Sequence, residues 1–555
     1  MQKINNVFVA DFETNTDPER ASVWAWDLCS IQTYEHLSGT NIELFFETLG
    51  SLVHECIVVY FHNLKFDGTF ILCYLLKQNL KYVKSDDFNF DEGTFSCIVD
   101  SMKKFYSISV KVNGVKIEFR DSLKKIPSSV DNIAKSFELD LNKLSIDYNI
   151  YRDPYSHVLT DDEAEYIMHD TEIIARVLNQ FYINGMDYLT LSSDCFNLYK
   201  KQIGKDAFDI AYPVLSNATD RDIRRAYFGG ICYANKTGVD LHNVMCYDVN
   251  SMYPSIMYNC FLPFGIPAIH VGRPYYKENH LYILHIKIAL NVKKDFLPFY
   301  MKSGGIFFQN EFVKNTEGEM LEIWITNVEL ELVMKHYDYD VEYIDYLEFK
   351  ASKKLFKNYI EPIYQAKCID TGAKKQLDKF KLNMLYGRFG LNPLRVSATP
   401  YLEEGVLKFK NDTPKYVAPV YTAIAVFVTA HARIKLVNAI QENYENFVYC
   451  DTDSIFLTAE AKGIEIHDNK LGAWKLEKTF DTLRVIGAKT YCGILDNGKK
   501  LVKVCGAPGC VKDAITLDNF VEGLTLSGKL IPKNVKGGVV LKDTDFTIKA
   551  RNKRF

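Results

Sequence analysis

Short apolar runs that close on acidic residues recur along this chain, and they predict buried strands that deliver carboxylates to polar sites. Val7-Phe8-Val9-Ala10 reads as a buried strand ending in Asp11 and Glu13. Residues 52–61 (LVHECIVVYF) read as a second strand, running into a loop from His62 to Gly68. Asp161-Asp162-Glu163, followed by a periodic run to about residue 180, has the chemistry of a helix start. Strands alternating with helices make this N-terminal part α/β. The turn-prone Ser192-Ser193-Asp194 marks a first boundary, and the first strand of the next unit follows Tyr227-Phe228-Gly229-Gly230. Between Pro254 and Lys367 roughly 110 residues of mixed strand and loop character predict an inserted domain. Residues 355–389 read as a helical hairpin broken near Asp370-Thr371-Gly372, and residues 391–420 as a protruding β hairpin. A further α/β stretch runs to about 505, and a basic unit closes the chain.

At 555 residues, 47% hydrophobic and 14% aromatic, the chain is too long for one core and rich enough for several. The 13 cysteines are scattered and lack a paired zinc framework, so buried thiols in a reducing compartment are expected. No run of about 18 apolar residues exists and the N-terminus lacks signal-peptide form, which predicts a soluble, cytoplasmic protein without a membrane partner. Net charge is −4, yet Lys533, Lys536, Lys542, Lys549, Arg551, Lys553 and Arg554 crowd the C-terminus against Asp543 and Asp545. Acidic pockets and basic grooves coexist in one molecule, so the global charge does not exclude a polyanion partner. Only the last few residues have the composition of an unfolded tail.

Two acidic signatures carry the chemistry: Tyr247-Asp248-Val249-Asn250-Ser251-Met252-Tyr253-Pro254 and Tyr449-Cys450-Asp451-Thr452-Asp453-Ser454. Joining a phosphate to a hydroxyl calls for hard cations, held by carboxylates on rigid strand ends. Alone, either signature reads as a solvated turn; together they read as a nucleotidyl-transfer site. Pro254 stands where a helix would open, with free amides for phosphate, and Tyr253 would lie under the sugar and exclude a 2′-hydroxyl. Asp451 and Asp453, two apart on an extended segment, should share a face. Between the signatures, Lys375, Lys379, Asn383 and Tyr386 form one helical stripe suited to a triphosphate with a base stacked beyond it. Leu382 and Leu385 supply a separate apolar face, and Gly387 allows close backbone approach. Lys489-Thr490-Tyr491 adds a weaker signal. A second constellation comprises Asp11, Glu13, Asp67, Tyr166 and Asp170, suited to two-metal phosphodiester hydrolysis with Tyr166 orienting water. Glu163 and Glu165 read as helix surface, and His62 as a substrate-contacting or core histidine, since hard Mg²⁺ prefers oxygen. Asn63 and Phe66 could hold a frayed single strand by amide contact and stacking.

With these motifs in place the whole chain resembles a protein-primed family B DNA polymerase of small bacteriophages with linear genomes. Its exonuclease motifs are matched by Asp11-Phe12-Glu13, Asn63–Asp67 and Tyr166–Asp170, and its Y-x-G-G link by Tyr227–Gly230. Its polymerase motifs are matched by Asp248–Pro254, Lys379–Gly387, Thr429–Arg433, Tyr449–Ser454 and Lys489–Tyr491. The resemblance implies a multidomain α/β and α+β fold: a ribonuclease-H-like 3′→5′ exonuclease domain (1–190) and a right-hand polymerase with two insertions. The palm would span 191–256 and 423–505, the fingers 355–390 and the thumb 506–555. Residues 257–354 would contact a priming terminal protein, and 391–422 would close a ring on DNA for processivity and strand displacement. Asp248 and Asp453 would bind metal with the Val249 backbone, with Asp451 beside them. Tyr253, Lys367, Lys375, Lys379, Asn383, Tyr386 and Gly387 would bind nucleotide. Asp11, Glu13, Asp67 and Asp170 would be the exonuclease ligands, assisted by Lys143 and Tyr166. His62, Asn63, Phe66, Ser122, Leu123 and Tyr148 would grip a single-stranded 3′ end. Tyr227, Gly229 and Gly230 would contact DNA and help partition the primer between the two sites, and Ser251, Arg433, Thr452, Lys489 and Tyr491 would contact primer or template. Two Mg²⁺ per site are implied, with Mn²⁺ able to substitute. The implied partners are template-primer and single-stranded DNA, dNTPs, terminal protein and a single-strand-binding protein, acting on a monomer. Met384 stands where the family has serine, and Met252 where it has leucine.

The leading expectation is a replicative, proofreading DNA polymerase started from a protein hydroxyl. One alternative is a family B polymerase that primes itself or uses nucleic-acid primers, against which the insertion before Lys367 argues. The other is a catalytically inactive DNA-binding protein, against which the intact acids argue.

Overall fold

The structure, a computed structural model, describes residues 4–17, 19–148, 150–305 and 308–550. Met1–Lys3 and the basic tail beyond Ala550 lie outside the described residues.

Alternation along one strand organises the N-terminal unit. In Val7–Thr14, Phe8, Ala10 and Phe12 enter one core while Val7 and Val9 enter another on the opposite face. Asp11 and Glu13 therefore sit on the Val7 face. That strand lies inside an eight-stranded mixed sheet, parallel to Cys56–Phe61 and antiparallel to Val23–Ser30. Helix Leu64–Lys77 covers the first face and helix Asp161–Ile183 the second.

The sequence boundaries shift in three places. The second strand begins at Cys56, because residues 52–55 follow the helix Ile42–Ser51, and Asp67 belongs to the first turn of Leu64–Lys77 rather than to a loop. Asp11 and Glu13 stand at the end of their strand as expected, Glu13 one residue before Thr14 closes it. Ser192–Asp194 open the helix Leu191–Ile203, where the buried Asp194 accepts from the buried Lys125 at 2.6 Å. Glu163 is not surface: it closes a capping box with Thr160 and meets Arg152 Nε at 2.5 Å and His157 at 2.7 Å.

The second unit is an antiparallel seven-stranded sheet. Its middle strands are Trp474–Gly487, Asp240–Val249, Ser454–Leu457 and Phe447–Asp451. Helix Thr422–Glu442 backs it; this helix is long and apolar enough to cross a bilayer, yet 78% of that window is buried. An inserted four-stranded sheet, including Leu262–Val271, His280–Val292 and Tyr337–Ser352, carries helix Asn327–His336. The helical hairpin is present as Lys357–Ile369 and Gly372–Asn383, broken at the expected place.

Two later segments close onto the N-terminal unit. The hairpin Ala398–Glu403/Val406–Asn411 packs inward rather than protruding: its Ala398 and Leu407, with Val535, Val539 and Val540 of the C-terminal hairpin Thr525–Val535/Gly538–Thr547, join the core around Phe70. Gly538 is required there, since a Cβ would stand 2.1 Å from the Phe70 ring.

Two candidate active sites

Strand pairing brings the two acidic signatures together. Asp248 faces Ser454 across the ladder, and the Val249 amide donates to the Asp453 carbonyl at 2.9 Å. Asp451 and Asp453 do not share a face of an extended strand. They flank a tight turn in which Thr452 has φ 60° and the Asp453 amide donates to the Asp451 carbonyl at 2.7 Å. The turn splits their roles: Asp453 faces Asp248, while Asp451 accepts from Lys489 Nζ at 2.6 and 2.7 Å. Burial, then the neighbouring Asp453 charge, pushes Asp248 up to about 7. Burial and Asp451 push Asp453 up to about 6. Two half-buried carboxylates with raised pKa values, the charge of Asp453 adding to the cost of charging Asp248, form a site that a cation would relieve.

The turn after Asp248 opens helix Met252–Asn259 from Ser251, held at φ 53° and ψ 65°. Lys367 Nζ donates to Ser251 Oγ at 2.9 Å. Burial and the neighbouring ammonium groups of Lys379 and Lys375 lower the Lys367 pKa. Three lysines thus crowd the mouth of the acidic pair, and an anion would relieve them as a cation relieves the carboxylates. Beside them the Tyr253 and Tyr386 rings lie 4.1 Å apart at 35°. At Gly387 a Cβ would meet nothing within 4 Å, so this face stays open.

In the N-terminal unit, Asp11 and Glu13 project from one strand face toward Asp170, while Asp67 reaches Asp11 from its helix. Burial and Asp170 push Asp11 up to about 7; burial and Asp11 raise Glu13 and Asp67. Burial works against the charge on Lys143, yet Asp170, bonded to it, with Asp11 and Glu13, raises its pKa. Asp67 Oδ1 and Asp170 Oδ1 are buried without a hydrogen-bond partner, orphaned acceptors that suit a hard cation. Among the described residues no three carboxylate, imidazole or thiol groups are already gathered closely enough to hold a metal by themselves. Tyr166 shares its hydroxyl with Tyr148 at 2.7 Å, and burial, then Glu13, raises its pKa. A cavity of about 320 Å³ opens here, lined by Asp11, His62, Lys143 and Asp170. A second, of about 390 Å³, joins Asn63 and Phe66 to Phe409 and Leu541.

Three residues expected to touch nucleic acid are turned inward. Arg433 is 3% exposed and gives its guanidinium to Glu329 and to the carbonyls of Phe228 and Gly229. Tyr491 is buried against Tyr449, Phe456 and Phe480, because its strand alternates it into the sheet core. Ser122 is fully buried and holds His62 Nδ1 at 2.8 Å, while His62 Nε2 meets the Ser128 carbonyl at 2.7 Å. Asn63 lines the second cavity, Leu123 gives its amide to Asp121 and Tyr148 meets Tyr166, while at the other site Gly230 abuts the Thr452 side chain and Tyr227 adjoins Gly390. Sequence reasoning missed Asp121, whose Oδ1 accepts from the amides of Asn63, Leu64 and Leu123 and so fixes the loop that carries Asn63. It also missed Glu477, which adds negative charge to Asp248 and Asp453. Both sit on ordinary strands, and only register places them at a site.

The family model of organellar and viral type B DNA polymerases matches residues 51–158 and 151–468. The DNA polymerase of Bacillus phage Nf is 37% identical over 579 residues, covering 98% of this chain and 99% of that one. That of Bacillus phage phi29 is 36% identical over 580 residues with the same coverage. The solved phi29 DNA polymerase complexed with primer-template DNA and incoming nucleotide superposes with a TM-score of 0.90 at 35% identity. That superposition covers 98% of this chain and all of that one.

Proposed function

The chain belongs to the type B DNA polymerases of organelles and viruses, a phage DNA-replication polymerase, and on that premise we propose that it starts from a terminal-protein hydroxyl and proofreads. The observation that carries the transfer chemistry is the placement of half-buried Asp248, opposite Ser454 on the ladder, beside half-buried Asp453 in the turn before Ser454, where the Asp453 charge disfavours that of Asp248. In the step itself, the priming 3′-oxygen or protein hydroxyl bonds to the α-phosphorus. The α–β phosphoanhydride bond breaks, and pyrophosphate leaves. Asp248, Asp453 and the Val249 carbonyl would hold Mg²⁺, which when bound supplies Lewis-acid stabilisation of the attacking and leaving oxygens. Lys367, Lys375 and Lys379 neutralise the triphosphate, and Tyr253 with Tyr386 forms the floor under sugar and base. Lys489, fixed by Asp451, meets the primer end.

The same reading assigns 3′→5′ exonuclease activity to Asp11, Glu13, Asp67 and Asp170. Lys143 holds Asp170 in place, and Tyr166, kept protonated by its buried setting, orients the attacking water. Residues 257–354 would dock the terminal protein, and the closure of 398–407 and 535–540 onto the N-terminal unit supports a ring around DNA that gives processivity and strand displacement. Incubating the chain with terminal protein and labelled dATP should transfer label to that protein. Extension of a DNA primer without such transfer would leave a nucleic-acid-primed polymerase instead.

A further inference from the structure

We propose that Glu329, in the inserted unit and outside every recognised motif, is a positioning residue for the polymerase primer site, acting through Arg433. It rests on the reading of Tyr227–Gly230 as the segment that steers the primer. Glu329 Oε1 accepts from Arg433 Nε at 2.9 Å and Nη2 at 2.5 Å. Its Oε2 accepts from Thr326 Oγ1 at 2.8 Å, and its amide donates back to that hydroxyl at 3.2 Å, pinning the carboxylate to the start of helix Asn327–His336. Arg433 then directs Nη1 to the carbonyls of Phe228 at 2.5 Å and Gly229 at 2.9 Å.

The path continues to the carboxylates. At Gly230 a Cβ would stand 2.9 Å from the Thr452 side chain, and the Ile231 carbonyl accepts from the Thr452 amide at 2.7 Å. Thr452 is the turn residue between Asp451 and Asp453. One buried ion pair therefore ties the insertion to the backbone that abuts the catalytic turn. Buried ion pairs add little net stability over apolar packing, but they fix geometry, and losing one partner leaves a stranded charge. With four of its five N–H donors committed to protein and only 3% of it exposed, Arg433 is not presented to DNA, so its effect on a primer must pass through the segment it holds.

The test compares Glu329→Gln with Thr326→Ala in the full chain. Both weaken the helix cap, but only the first strands Arg433. Two quantities are read: the apparent KM for primer-template in extension, and the dNTP concentration at which extension overtakes removal of the primer's 3′ nucleotide. Glu329→Gln should raise both about tenfold and leave single-strand degradation within about twofold, while Thr326→Ala moves neither beyond about twofold. Arg433→Lys keeps the charge but cannot span Glu329 and both carbonyls, so it should raise both as well, and it carries the test should Glu329→Gln fail to fold. Equal shifts in the Glu329 and Thr326 variants, or unchanged values in a folded Glu329→Gln or Arg433→Lys protein, overturn the proposal. If the wild-type chain removes no 3′ nucleotides, the exonuclease reading has failed by itself, and the KM comparison still decides the role of Glu329.

Discussion

Replacing Asp453 by Asn should make the metal-free protein more stable and nearly inactive. Burial and Asp451 push Asp453 from 3.8 up to about 6. At roughly 1.4 kcal/mol per unit of pKa, holding it ionised at pH 8 costs up to about 3 kcal/mol. The side chain is partly exposed, so solvent screening reduces that to about 1–2 kcal/mol. Because the folded pKa is raised, the stability is present below the unfolded value near 4 and is lost as pH rises through about 6. Asp453→Asn should therefore raise the unfolding midpoint in EDTA at pH 8, have little effect near pH 4, and lose its advantage when Mg²⁺ stabilises the wild type. Scanning calorimetry with and without Mg²⁺ reads this directly, and primer extension should fall by roughly 10²–10³-fold or more. A variant that is less stable at both pH values, or that extends within about tenfold of wild type, would refute the reasoning.

Asp11→Ala combined with Glu13→Ala should abolish degradation of single-stranded DNA yet spare primer extension; retained degradation of a labelled oligonucleotide would remove the exonuclease assignment. Tyr253→Val should raise ribonucleotide incorporation by roughly 10–100-fold while dNTP use changes less, read as the ratio of kcat/KM values, if the Tyr253 ring, 4.1 Å from Tyr386, blocks a 2′-hydroxyl as proposed. Gly487→Ala should destabilise the C-terminal end by about 1–3 kcal/mol, since the added Cβ would stand 1.9 Å from the Ala550 carbonyl oxygen. A calorimetric midpoint equal to wild type would show that residues 548–550 yield freely.

The linear chain by itself determined which residue types could do chemistry and roughly which elements carry them. Asp11 and Glu13 two apart on an apolar run, Tyr166 and Asp170 four apart on a helix, and Lys375, Lys379 and Asn383 on one helix are local periodicities, and local periodicity is written in one dimension; Tyr386, expected on the same stripe, falls on the next short helix Leu385–Phe389, after a break at Met384. Turns and caps were less legible. Nothing local announced that Thr452 would adopt φ 60° and divide Asp451 from Asp453, or that Glu163 would be a buried cap. Burial of cations escaped it entirely: Arg433 reads as a DNA contact until Glu329, 104 residues away, arrives to neutralise it. Tertiary structure alone decided the register that sets Asp248 beside Asp453, and with it the raised pKa values. The physical reason is that desolvation and charge–charge repulsion depend on distance through space, and only the folded sheet fixes those distances.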